Sequence, residues 1–259
     1  MTGVLRALCG LAVVLVSAWL PSRSVATPPK IAILAYHRFS AGAVTNAMTV
    51  RTSTFRWQLD YLTRHGYPIV SLSSLVTDLR GGAAPPSHAV VITVDDGHTS
   101  VFSEMLPVVR EYGIPVTLFV YPSAISNASY ALTWSQLDAL RQTGLFDVQS
   151  HTWWHPNFKI EKRRLSPDAY RAFATKQLTA SRTILRERLG VSADIVAWPF
   201  GIFDEELMGI ARESGYVAGL TLDRRLLTGG DDLMALPRFL VTEHAQGAAF
   251  AAMLPRDDR

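Results

Sequence analysis

The chain has 259 residues, 48% of them hydrophobic and 18% charged, with no low-complexity tract and no fixed-period repeat. This composition belongs to a compact globular protein and argues against a disordered chain, a solenoid or a propeller. The formal net charge of +3 falls to +1 without Arg6 and Arg23, when 23 basic residues face 22 acidic ones, which is too weak a surplus to suggest a nucleic-acid partner.

Residues 1–26 read as a signal peptide, leaving 27–259 as one domain with no internal linker. Arg6 precedes an apolar run from Leu8 to Leu20, Pro21 breaks it, and Ser24-Val25-Ala26 offers small residues for cleavage after Ala26. The run is short of the roughly 20 residues a spanning helix needs. The expectation is export to the periplasm or medium, with anchoring by an uncleaved N-terminal segment as the alternative. Cys9 lies in this run, so the remaining chain has no cysteine and no intramolecular disulfide.

Beyond the leader, short apolar runs alternate with helical patterns. Strands are expected at 30–36, 68–71, 89–94, 116–120, 146–149, 195–198, 217–220 and 236–241. Helices are expected at 54–65, 72–80, 100–112, 135–143, 166–189 and 204–213. The long helix opens on Ser-Pro and stops at Gly190, and Asp204 caps the last. Residues 159–164 (KIEKRR) read as a basic, solvated loop. Regular strand–helix alternation means βαβ units and a parallel sheet, and about seven units favour a distorted (β/α) barrel in one domain.

Reactive groups follow the strands rather than the helices. His37 follows the first, Asp95-Asp96-Gly97 the strand at 89–94, His151 and His155 the strand at 146–149, and Pro199-Phe200 the strand at 195–198. In α/β barrels those C-terminal strand ends converge on the active site. Each element alone has a bland explanation: a DDG turn, a chance HxxxH, a satisfied core histidine. Their coincidence at one rim points to chemistry. Two neutral imidazoles and one carboxylate suit a divalent metal that keeps an open position, and the second carboxylate can serve as a general base. His151, His155 and one of Asp95 or Asp96 make that set.

At VDDG (94–97), HTWWH (151–155) and WPFG (198–201) the sequence resembles carbohydrate esterase family 4, the polysaccharide deacetylases with a NodB-homology domain. ILAYHRF (33–39) and the segment 53–75 resemble the subgroup acting on poly-β-1,6-N-acetylglucosamine. The resemblance implies Asp95 as base, Asp96, His151 and His155 as metal ligands, and the backbone N–H of Phe200 as an oxyanion donor. It implies His37 as the acid, since His244 lacks the family's late-motif context. Trp153, Trp154, Pro199 and Arg238 are expected at the substrate. The family commonly braces its base with an arginine where this chain has Trp198, and Arg238 is the candidate replacement.

The function so implied is metal-dependent N-deacetylation of an N-acetylglucosamine polysaccharide. Zinc is the leading metal, with cobalt, nickel or iron as alternatives, because a His2Asp set accepts them all. Peptidoglycan, chitin oligomers or an O-acetylated glycan are alternative substrates, and a carbohydrate-binding assembly protein is the non-enzymatic alternative. Expected partners are the polysaccharide and exopolysaccharide synthesis or export machinery. Oligomeric state is left open.

Overall fold

The structure is a computed structural model that describes residues 30–256 except Thr45. The expected signal segment and its cleavage point lie outside the described residues. The elements, in chain order, are β1 (Ala32–Tyr36), β2 (Arg38–Ser40), β3 (Thr49–Arg51), α1 (Thr52–Arg64), α2 (Leu72–Gly81), β4 (Val90–Val94), α3 (Leu106–Tyr112), β5 (Val116–Val120), α4 (Trp134–Gln142) and β6 (Phe146–Ser150). There follow α5 (Phe158–Arg164), α6 (Pro167–Leu189), β7 (Ile195–Ala197), α7 (Glu205–Glu213), β8 (Ala218–Leu220), β9 (Phe239–Leu240) and α8 (Ala248–Ala251).

Seven strands form one parallel sheet in the order β8-β7-β6-β5-β4-β1-β9, and β2 pairs with β3 in a small sheet of their own. The segment before β9 also reaches the opposite edge. Leu236 bridges Leu220 of β8, while Phe239 and Leu240 pair with β1. The sheet therefore curls into the expected distorted barrel, held at its seam by a few bonds.

Burial explains the curl. Strand residues alternate between two faces with period two. Leu34, Ile92, Leu118 and Val148 join the outer cluster with the helices, whereas Ile33, Val91, Phe119 and Ala197 pack inside. Leu72, Leu75 and Val76 of α2 share the inner cluster with Ile31 and Ala89 at the strand starts. Both faces are buried, which is why the strands read as continuous apolar runs.

Four expectations need correction. Residues 68–71 form no strand: only Ile69 bridges Val90, because Pro68 has no N–H to give and Ser71 already caps α2. The strand expected over 236–241 shortens to Phe239–Leu240, interrupted by Pro237. The basic segment 159–164 is helical. Asn157 caps it, Phe158 anchors it in the core, and Lys162 pairs with Asp204 and Glu206. The expected helix at 100–112 opens as a π-turn over Val101–Met105 before α3, where Pro107 cannot donate a helical bond.

The strand that delivers the expected histidines is clamped from outside. Ser150 Oγ–H donates to Ser181 Oγ at 2.8 Å, and the Tyr216 hydroxyl donates to Ser150 Oγ at 2.7 Å, all three residues being buried. Tyr216→Phe leaves that buried oxygen short of a donor and should cost about 1–3 kcal/mol, with metal content unchanged. Denaturant titration measures it; no change in midpoint would show the clamp contributes nothing.

Candidate active site

Inward-facing positions continue past the strand ends, and the reactive groups occupy them. From inner residues Ile33, Val91, Phe119 and Ala197, steps of two lead to His37, Asp95, Tyr121 and Pro199. β6 contributes Gln149 and then His151. Trp198 has the opposite parity: it packs in a separate cluster with Phe158, Tyr170 and Met234, and donates Nε1–H to the Met234 carbonyl at 2.8 Å. It cannot brace anything inside the barrel.

Arg238 provides that brace. Its guanidinium is fully buried and bonds both Asp95 oxygens at 2.8 Å, while Nε–H donates to Thr221 O and Nη1–H to Thr93 Oγ1. This corrects the expected substrate contact of Arg238: a side chain with no exposure and its donors engaged touches no polymer. Burial alone would raise the Asp95 carboxyl, but Arg238, His151 and His37 outweigh it and hold Asp95 well below the usual carboxylate range. The base candidate is therefore ionised.

Asp96 turns away from its neighbour because its backbone is left-handed, φ +74°. Gly97 follows at φ +68°, where a Cβ would lie 3.0 Å from Val120 Cγ1, so the third letter of DDG is sterically required. The HTWWH segment is a loop, not a helix. Left-handed turns at Thr152 and His155 fold it back, bringing the two imidazoles to 4.6 Å between centroids.

One ligand atom from each of Asp96, His151 and His155 lies within 4.8 Å of the others. His151 donates Nδ1–H to the Ala197 carbonyl at 2.7 Å, which fixes its tautomer and leaves Nε2 as a lone-pair donor. That Nε2 is 3.7 Å from Asp96 Oδ1 and 4.0 Å from Asp95 Oδ2; His155 Nε2 is 3.9 Å from Asp96 Oδ1. Burial, aided by His151, pushes His155 down to about 4, so its imidazole is neutral at neutral pH. Two imidazole nitrogens and a carboxylate fit a divalent cation.

His37 is buried, its Nδ1 without a hydrogen-bond partner among the described residues. Burial lowers its pKa against the pull of Asp95 and Asp96. Phe200 sits at φ +57° with its ring 58% exposed and 4.6 Å from that of His155. Pro199, the first residue of that turn, is buried, which removes it from the expected substrate contacts. Trp153 lies away from the triad, under Lys176 and beside Trp134 in a cavity of about 360 Å³ that no triad residue lines. Trp154 is 41% exposed and packs edge-on against Phe173.

Sequence reasoning missed Tyr121. Its ring lies 5.4 Å from His155 and its hydroxyl meets that of Tyr130 at 2.5 Å. The two-residue step from Phe119 was the available signal.

The polysaccharide deacetylase family profile matches residues 82–219. The chain belongs to the polysaccharide deacetylase family. Its members are hydrolases, and the Asp–His–His cluster is consistent with their divalent-metal site. YxkH of Bacillus subtilis is 27% identical over 238 residues, covering 92% of this chain and 80% of that protein. The poly-β-1,6-N-acetyl-D-glucosamine N-deacetylase of Staphylococcus epidermidis is 26% identical, covering 76% of this chain and 69% of that protein. Among solved structures, the Streptococcus pyogenes deacetylase PplD in complex with acetate superposes with a TM-score of 0.77 at 23% identity, over 89% of this chain and all of that one. IcaB from Ammonifex degensii gives 0.76 at 24% identity, over 88% and 97%.

Arg238→Met leaves Asp95 buried and unpaired, and should destabilise the fold by about 3–5 kcal/mol. The native carboxyl lies below its unfolded value, so the pair's stabilisation is present above that unfolded value and lost as pH falls through the native one. The variant should therefore lose most stability near neutral pH and little in strong acid. Unfolding curves at several pH values decide it, and equal losses throughout would sink the account.

Proposed function

We propose that this deacetylase removes N-acetyl groups from an N-acetylglucosamine polymer of the poly-β-1,6 type, with zinc as its metal. The observation that carries the reading is the ionised Asp95 held 4.0 Å from His151 beside a ligand triad, with His37 Nδ1 buried and unpartnered nearby. The first-strand segment ILAYHRF and the Staphylococcus epidermidis relative support the choice of polymer.

A divalent cation on Asp96, His151 and His155 would supply Lewis-acid polarisation of the acetyl oxygen and of water. Asp95 takes a proton from the attacking water as the C–O bond forms. The Phe200 N–H, presented by a left-handed turn, donates to the acyl oxygen. His37 delivers a proton to the departing nitrogen as the C–N bond breaks, giving acetate and a free amine. A core histidine normally has its ring nitrogens satisfied, and the bare Nδ1 favours the acid role over packing.

Chelation should abolish acetate release, and zinc, cobalt or nickel should restore it. Asp96→Asn should lose metal with activity, whereas Asp95→Asn should keep metal and lose about 10²- to 10⁴-fold in turnover. Equal metal loss in both would reverse their roles, and full activity after chelation would end the metal reading.

His37 must be protonated to act, and its pKa lies below the ordinary histidine value. Turnover of the N-acetyl substrate should therefore fall as pH rises through a point below that value. His37→Gln should remove this limb and spare an activated acetyl ester far more than the amide, because an alkoxide leaves without a proton. Equal losses on ester and amide would assign His37 to packing.

We also propose export, which the Leu8–Leu20 run and the Ser24–Ala26 site support. Protein from its native host should begin at Thr27; a membrane-bound form beginning at Met1 or Thr2 would mean anchoring instead.

A further inference from the structure

Trp153 stands two residues after His151, yet its indole lines a cavity of about 360 Å³ to which no triad residue contributes. Trp134, the first residue of α4, lines the same cavity. Both indoles are half-buried, so two large apolar surfaces from separate segments border one concave space. Around them stand Ser123, Asn127, Glu187 and Arg188, the last two on α6. The reaction derived above uses none of these groups.

The walls are held by bonds between the segments that supply them. Ser123 N–H donates to Trp153 O at 3.1 Å, which ties the segment after β5 to the loop after β6. Trp134 N–H donates to Ser126 Oγ at 2.9 Å, and Thr133 with Gln136 closes a capping box at the start of α4. Cations of α6 hold both indoles: Lys176 Nζ lies 5.2 Å from the Trp153 centroid, and the Arg188 guanidinium 5.6 Å from that of Trp134. Asn127 Nδ2–H donates to Ser123 O at 2.9 Å, which leaves its Oδ1 as an acceptor. Neither Glu187 nor Arg188 forms an ion pair among the described residues.

The lining decides what fits. A cavity for a bare anion would carry donors alone, and one for a lipid tail would lack a charged rim. Here indole surface meets an acceptor at Glu187, a donor at Arg188, and groups of both kinds at Ser123 and Asn127. A pyranose has the matching mixture: an apolar face of C–H bonds ringed by hydroxyls that donate and accept. The volume falls at the small end of ligand pockets, roughly 300–1,000 Å³. Resting on the reading of the substrate as a long amino-sugar polymer, we propose that this cavity is a second carbohydrate-binding site. It lies between α4 and α6, apart from the reaction centre, and holds a remote stretch of the chain being deacetylated. The second contact acts at an effective concentration in the millimolar range, so even a weak site tightens polymer binding. The gain appears in KM, not in the chemical step.

The test compares kcat/KM on poly-β-1,6-N-acetylglucosamine with kcat/KM on a small activated acetyl ester, which engages the reaction centre alone. Trp134→Ala should raise KM for the polymer about tenfold, with kcat and ester turnover unchanged. Trp134→Phe, which keeps a ring, should recover most of the loss. Glu187→Ala combined with Arg188→Ala, both at exposed positions of α6, should raise the polymer KM without touching the ester. The polymer-to-ester ratio does not depend on the folded fraction, and the α6 double variant decides the matter if Trp134→Ala fails to fold. A ratio that none of these variants moves overturns the second site while leaving the deacetylase reading intact. Ester turnover with no acetate from the polymer overturns the polymer reading and this proposal with it.

Discussion

Arg238 and Asp95 are both out of water, and either charge alone in that position would cost several kcal/mol. Together they form two parallel hydrogen bonds of 2.8 Å across the barrel interior, above the Phe119 ring. The pair joins the segment before β9 to the end of β4, where the sheet has few seam bonds of its own. It also sets the orientation and charge of Asp95. Asp96 takes its direction from the same anchor, since one residue fixed at 95 and a left-handed turn at 96 leave its carboxylate facing His151 and His155. Stability of the seam and geometry of the chemistry thus share one interaction.

A parallel barrel makes such sharing natural. Its strands are covered on both faces, so their interior positions hold apolar residues until the rim, where the same register emerges into solvent. His37, Asp95, Tyr121 and His151 are the first residues past that transition on four strands.

Parity also explains what could be read from sequence. The seven-strand parallel barrel, the caps at Ser166 and Asp204, and the residues of the metal cluster all rest on local signals: apolar period, turn residues, short spacings. The errors come from non-local competition. Pro68 to Ser71 has strand composition, but Ser71 is needed by α2. The KIEKRR segment has loop composition, but Asn157 and the ion pairs of Lys162 make it a helix. The role of Arg238 depends on a partner 143 positions away, which no local pattern reveals. Trp153 and Trp154 sit between two metal-site histidines in sequence, yet left-handed turns at Thr152 and His155 send their indoles toward α6.

Those turns raise the question of what holds the site together. Asp96, Thr152, His155 and Phe200 are four of the six non-glycine residues with positive φ among the described residues, and such conformations cost of order 1–3 kcal/mol each. The strain is offset locally. Thr152 N–H bonds Ser150 Oγ, which the Tyr216 clamp fixes; His155 N–H bonds Thr152 Oγ1; and Gly201, after Phe200, closes its turn onto Trp198 O. Every strained residue therefore borders a group tied to the buried sheet. The three ligand atoms thus come from two loops, one after β4 and one after β6. The same rim holds the rings of Phe200 and Tyr121 4.6 and 5.4 Å from that of one histidine, His155.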